Sequence, residues 1–252
     1  MEIRTSSSSL NPYIASGKNI VSAADDPSGL GIVEKMKEQT SGLNQGTQNA
    51  AAGKDLMQTA DSALGSIQDM LQRVKEISVK ASNTAVYNAE DLQAMQDEVS
   101  QLLSGIQDVA KNTTYNNKTL LDGSMSDMNL ATNPSGGGRK IQMANSTLAS
   151  LGLEGYDVTK SFDMNRIDQA ISSVSEKRSS LGAQSNGLSN VMSYNSQSAL
   201  DTTTSQSRIE DLDVGKAISE KEKLSILEQY KILMQKRQEE DKIRQMENLM
   251  RP

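Results

Sequence analysis

Side chains able to do chemistry are few and scattered in this 252-residue sequence. It contains neither His nor Cys, which removes zinc sites built on those ligands, disulfides, and catalysis by imidazole or thiolate. Asp25 and Asp26 are adjacent carboxylates and, as a pair, candidates for a metal. Pro27 and Ser28 beside them favour a helix start instead: an aspartate oxygen accepts a backbone hydrogen bond at the cap, and proline occupies the first turn, where no donor is missed. Glu239, Glu240 and Asp241 read as a solvated helix face rather than a catalytic carboxylate pair. Gly136, Gly137 and Gly138 lack the following Lys-Ser/Thr of a phosphate loop. Asn112, Asn117 and Asn145 each head an Asn-X-Thr triplet, a pattern short enough to arise by chance in an Asn/Thr-rich chain. No acid, base and nucleophile come together, so neither an enzyme nor a cofactor is expected.

The elements that carry these residues are thin ones. Aromatic residues make up 3% of the chain, with no Trp and one Phe (Phe162), which disfavours a wide globular core. The net charge of −6 argues against a nucleic-acid binder, and no run of roughly 20 apolar residues is present to span a membrane. The N-terminal stretch has no apolar signal-peptide core.

Apolar residues at Leu56, Ala60, Ala63, Ile67, Met70, Val74, Ile77 and Ala81 alternate by four and three, the seam of a helix wound against partners. A second seam runs through Leu92, Met95, Val99, Leu102, Ile106 and Val109, and the turn formers between the two predict an antiparallel pair. Upstream, a helix starting at Asp25–Pro27 is predicted to run through Ile32, Met36 and Leu43, with Gly42, Gly46 and Gly53 weakening its continuity to Leu56. From Thr113 to Tyr156 the heptads stop; Asp127–Ala131 and Lys140–Ala144 read as strands paired across the Pro134–Gly138 turn. Heptads resume at Ile167, Ile171, Val174, Leu181, Leu188 and Met192, interrupted by Arg178, Ser185 and Asn195. Several of the thirteen methionines sit on such seams and fit gap filling. Glu220–Pro252 is dense in charge, with apolar Leu224, Leu227, Ile243, Met246 and Leu249, as in a solvated helix. The fold class read from this pattern is mainly α, a long antiparallel helical coiled-coil rod with a small β-hairpin insertion. Its expected parts are a short N-terminal segment (1–16), N-terminal rod helices (17–112), a hairpin and turn module (113–163), a C-terminal rod helix (164–206) and a charged helical segment (207–252).

Several strings then become recognisable. SAADDPSGLGI (22–32), LMQTADSAL (56–64), LQRVKEISVKASN (71–83), LQAMQDEVSQLLSGI (92–106), TTYNNKTLLDGS (113–124) and SRIEDLDVGKAIS (207–219) together resemble bacterial flagellins, in the family's order, over about residues 16–220. The hook–filament junction protein shares the helical arms, and SRIEDLD favours flagellin proper. The resemblance implies a structural subunit of the flagellar filament that polymerises with other flagellin subunits. It further implies export unfolded by the flagellar type III route, an extracellular place in the filament, and a flagellar export chaperone and a cap protein as partners.

The resemblance also implies a surface read by Toll-like receptor 5, at Gln72, Arg73, Glu76, Ile77 and Glu98. Ile77 stands where strongly recognised members have Leu, and it falls on the seam assigned to the core. Two departures from the family pattern accompany these. Fifteen residues precede Ser16-Gly17 where the family has some forty, and the C-terminal arm is charged where the family is apolar. They raise the alternative of a secreted flagellin-like module that binds a receptor or flagellar partners without forming filaments.

Overall fold

The computed structural model describes residues 7–125 and 127–249. In chain order it contains a 3-10 turn Ser7–Leu10, helix α1 (Asn11–Ser16), helix α2 (Pro27–Ala81) and helix α3 (Ala89–Asn112). Four short strands follow, β1 (Thr114–Tyr115), β2 (Lys118–Thr119), β3 (Asp127–Ala131) and β4 (Gly138–Gln142), and then helices α4 (Asn165–Glu210) and α5 (Val214–Leu249). The fold is mainly α with a small antiparallel hairpin, as predicted. Residues 1–6 and 250–252 of the terminal segments, and the side chains of residues 247–249, lie outside the described residues. The chain divides into two compact units, residues 41–198 and residues 1–40 with 199–252.

In the unit of residues 41–198, α3 and α4 both run antiparallel to α2. Arg73 meets Glu98 while Met70 lies against Gly105; Lys75 meets Asp168 while Asp61 meets Arg178. The turn between α2 and α3 ends in a reciprocal cap: the Asn88 side chain accepts the Asp91 N–H at 2.8 Å, and the Asp91 carboxylate accepts the Asn88 N–H at 3.1 Å. The core runs along the facing stripes. On α2 it includes Met57, Ala60, Leu64, Ile67, Leu71, Val74, Ser78 and Ala81, so the predicted seam is shifted by one position at alternate contacts, and its Ala63 and Met70 are only half-buried. Leu56 and Ile77 are buried beside that line. A helix flanked by two neighbours buries a stripe broader than a two-position seam, which is why both lines are covered. The same broadening adds Leu103 and Ala110 on α3 and Ala170 on α4.

The hairpin sits where the predicted one was placed, but β4 begins two residues earlier than expected, at Gly138. The turn closes early because the N–H groups of Thr132 and Asn133 both donate to Gly137 O, with Gly136 at φ +80. At Gly138 a Cβ would fall 1.7 Å from Leu130 O, so only glycine lets the two backbones pair there. A second, unpredicted hairpin joins β1 and β2 through Asn116 and Asn117, both left-handed (φ 48 and 61), as a two-residue loop requires.

The glycines expected to weaken α2 do not break it. Gly42, Gly46 and Gly53 lie under Pro134, Thr132 and Leu130, so the absent side chains form the track on which the β3–β4 hairpin rests. Asn49 Nδ2 donates to Ala131 O and Asn195 Nδ2 to Thr132 O, each at 2.8 Å, and these bonds pin the hairpin to α2 and α4. Asn195, predicted as a polar interruption of the α4 seam, is buried because this carbonyl needs a donor. Arg178, another interruption, reaches Asp61 and Gln68 on α2.

In the unit of residues 1–40 with 199–252, α2 starts as its sequence predicts. Asp26 Oδ1 accepts the N–H groups of Ser28 and Gly29, and Leu30 N–H bonds to Asp26 O. Val33 is buried, whereas Ile32, expected on the apolar face, is exposed. The α4–α5 break spans residues 211–213, and Asp213 caps α5 by accepting the Lys216 N–H at 3.0 Å. The 3-10 turn packs on α5, where Ser7 donates from its N–H and its hydroxyl to the Glu228 carboxylate at 2.9 and 2.8 Å. No helix among the described residues is long and apolar enough to cross a membrane.

Candidate functional site

Four of the five residues singled out by resemblance to receptor-recognised flagellins form one exposed polar surface on α2 and α3. The 3.6-residue period sets Gln72, Arg73 and Glu76 on the outer face of α2 and turns Val74 and Ile77 inward. Arg73 is the centre. Its Nε donates to Glu98 Oε1 at 2.8 Å, its Nη2 lies 2.7 Å from the same oxygen, and its Nη1 donates to Glu76 Oε2 at 3.0 Å. The Glu98 hydrogen bond, and then that of Glu76, push the Arg73 pKa further above its ordinary value. A guanidinium has five N–H donors, so three contacts fix its plane and leave donors for a partner. Gln72 stands next to it in the sequence, also exposed. Ile77 is different: at 2% exposure it belongs to the helical core.

On the other edge of this face, two residues after Arg73, Lys75 pairs with Asp168 on α4 at 2.6 Å. The surface therefore spans three helices and carries both signs of charge on groups that are 43–63% exposed. Such exposed pairs contribute little to stability; what they present is fixed donors and acceptors on a helical face.

The other sequence candidates have local roles. The Asp25 carboxylate accepts the Tyr13 hydroxyl and the N–H groups of Val21 and Ser22 (3.0 and 2.8 Å), and the Tyr13 bond leads in lowering its pKa from 3.8 to about 2. It ties the loop ahead of α2, while Asp26 caps the helix; the two carboxylates that sequence pairs as metal candidates are occupied separately. At Gly29 a Cβ would meet Asp26 Oδ2 at 2.3 Å and Ile20 Cδ1 at 2.8 Å, so the Asp-Asp-Pro-Ser-Gly string is one capping device. Glu239, Glu240 and Asp241 lie exposed on α5.

Two sets of contacts carried no sequence signal. The first is that of the Glu210 carboxylate, which ion-pairs with Lys18 at 2.6 Å and Lys37 at 3.2 Å. Long-range pairs of this kind have no spacing rule. The second is the cluster around Tyr156, whose hydroxyl meets Ser78 Oγ at 3.0 Å and whose ring meets Phe162 edge-on at 5.9 Å.

Comparison with known proteins joins these observations to a family. Residues 3–126 match the bacterial flagellin N-terminal helical region and residues 164–243 the bacterial flagellin C-terminal helical region. Flagellin of Bacillus subtilis (strain 168) is 34% identical over 254 residues, covering 86% of this chain and 84% of the relative. A flagellar filament core protein of Brachyspira hyodysenteriae is 31% identical, covering 88% and 84%. Among solved structures, Bacillus cereus flagellin has a similar fold (TM-score 0.52, 24% identity, 59% of this chain and 88% of that one). So does a putative flagellar hook-associated protein from Vibrio parahaemolyticus (TM-score 0.63, 14% identity, 74% and 100%). With both helical regions present in one chain and in that order, this protein belongs to the bacterial flagellin family.

Proposed function

We propose that the chain is a structural subunit of the bacterial flagellar filament and polymerises with copies of itself outside the cell. The observation that carries this reading is the co-occurrence of both flagellin helical regions with relatives that include a filament core protein. The helices supply a physical reason for polymerisation. α5 exposes Ile226, Leu227, Tyr230, Ile232 and Leu233, an apolar content that water disfavours and that a neighbouring subunit would cover. The resemblance adds export by the flagellar type III route, with a flagellar chaperone before export and a cap protein at the growing tip. The test is to seed the purified protein with preformed flagellar filaments and examine the product by negative-stain microscopy. Incorporation of labelled chain into filaments supports the reading; a monomer that stays out of every seed refutes it.

A second reading concerns Toll-like receptor 5. The clustering of Gln72, Arg73, Glu76 and Glu98 on one exposed face supports recognition there, with Ile77 beneath as packing. An arginine fixed by two carboxylates is ready to serve as an interface anchor. Arg73→Ala and Glu98→Ala are expected to lower signalling in receptor-expressing cells while the circular dichroism spectrum stays unchanged. Absence of any signal from the wild-type protein at high concentration refutes this reading alone.

A further inference from the structure

We propose that the Glu210 carboxylate is an electrostatic latch that holds the end of the N-terminal strap, residues 17–20, against the α4–α5 break. This does not rest on the filament reading. The argument starts from burial: Glu210 is 4% exposed, and a carboxylate so placed must be neutralised by neighbours. Its partners come from three separate stretches of chain. Lys18 Nζ, on the strap, lies 2.6 Å from Oε1; Lys37 Nζ, on α2, lies 3.2 Å from the same oxygen; Gln206, one turn back on α4, donates to Oε2 at 2.8 Å.

The backbone closes the same junction. Asn19 N–H donates to Glu210 O at 2.6 Å, Leu212 N–H donates to Gly17 O at 2.9 Å, and Lys18 bridges Asp211 in antiparallel fashion. Gly17 turns the strap into this pairing with φ 68, a left-handed value that follows the last turn of α1.

The two lysines share one oxygen. Without its charge their ammonium groups face each other across a neutral group, because Lys18 has no other carboxylate within ion-pair distance among the described residues. Lys37 retains Glu34 at 2.9 Å, so the helix side of the junction keeps a partner and the strap side does not. Removing the latch should therefore release the strap selectively. Residues 17–20 then keep their backbone bonds and the buried Ile20 side chain, and like-charge repulsion at Lys18 acts against these.

Hydrogen–deuterium exchange on the full-length protein tests this, read at the amides of Asn19 and Leu212 with peptides from residues 41–198 as the internal reference. In Glu210→Gln, exchange at Asn19 and Leu212 is expected to rise by about tenfold or more, with the reference peptides unchanged. In the double variant Glu210→Gln with Lys37→Gln, part of that protection returns, since one of the two opposed charges is gone. Equal exchange in wild type and Glu210→Gln overturns the proposal. Uniform loosening that includes residues 41–198 also overturns it, because a latch acts on the strap alone. Lys18→Gln provides the independent arm: it must raise exchange at the same two amides although Glu210 keeps Lys37.

Discussion

One substitution, glycine to alanine, should have opposite signs at two positions of the same unit. At Gly182 on α4 a new Cβ meets nothing within 4 Å. Only backbone propensity changes there, and Gly→Ala in a helix interior is worth about 0.8–1 kcal/mol. Gly182→Ala should stabilise by that amount. At Gly46 on α2 the same propensity gain applies, but the methyl would lie 2.2 Å from Thr132 O and 2.8 Å from its carbonyl carbon. Ordinary contact needs about 1 Å more, and the obstacle is backbone already bonded to the buried Asn195 amide at 2.8 Å. Overpacking of this kind costs about 1–3 kcal/mol, and distortion of the Asn195 bond about 1 kcal/mol more. After the propensity gain is subtracted, Gly46→Ala should destabilise by about 1–3 kcal/mol. Urea unfolding followed by circular dichroism at 222 nm measures both variants against wild type. The contrast is the test, because the chemical change is identical. If Gly46→Ala proves as stabilising as Gly182→Ala, the hairpin does not rest on the glycine track and the account of α2 given above is wrong.

Other expectations follow from single contacts. Burial pushes the Glu210 carboxyl up, yet hydrogen bonds from Lys18, Gln206 and Lys37 bring it down to about 2 from 4.5; Asp25, through Tyr13 first, and Asp157, through Lys160 first, are also held at about 2. Each binds fewer protons folded than unfolded between those values, so their stabilisation is complete above about pH 4.5 and fades as pH falls toward 2, as chemical denaturation at stepped pH will show. Tyr156→Phe removes a buried hydroxyl 3.0 Å from Ser78 Oγ and should cost about 1 kcal/mol in urea unfolding. Asn88→Ala breaks the reciprocal cap of α3 and should cost about 1 kcal/mol, with faster amide exchange in its first turn. Ile77→Ala, in the core, should cost about 2–5 kcal/mol, while Arg73→Ala on the surface changes the same unfolding midpoint by less than one-fifth as much.

Helix identity, direction and the hairpin were legible because each has a local signature: four–three spacing at Leu56 to Ala81, the Asp-Pro helix start, the Gly triplet of the turn. Which residues share the core was less legible. Periodicity reports one stripe, and α2 buries a broader one because two helices lie against it; hence Leu64 and Leu71 are core although the predicted line passed beside them. Gly42, Gly46 and Gly53 carried a true propensity penalty that tertiary contact overrides, since a hairpin 80 or so residues downstream needs the space. The family motif located Arg73, Glu76 and Glu98, but the pairing of Arg73 with Glu98 on another helix follows only from the antiparallel register of α2 and α3. Glu210 stands in the SRIEDLD string, but its pairing had no local signal, its lysines lying near the other end of the sequence.

The scarcity of aromatics follows from how the helices meet. Where α2, α3 and α4 approach each other, small residues occupy the contact: Ala60, Ala110 and Ala170 are fully buried, and Met70 Sδ lies 3.0 Å from where a Gly105 Cβ would stand. Small contacts bring backbones close, so aliphatic side chains of modest volume fill what remains at native density. Large rings would hold such helices apart. Two of the seven aromatics, Tyr156 and Phe162, sit where helix packing gives out, in the loop between Leu151 and Phe162. There Tyr156 and Phe162 meet edge to face, and the guanidinium of Arg166, 5.8 Å above the Tyr156 ring, donates to the carbonyls of Gly152 and Glu154. Irregular backbone leaves carbonyls without helical partners, and one arginine with one ring covers both its polar and its apolar needs. Helix contacts made by Ala, Leu and Ile therefore need few aromatics, and one aromatic pair closes the irregular segment that leads into α4.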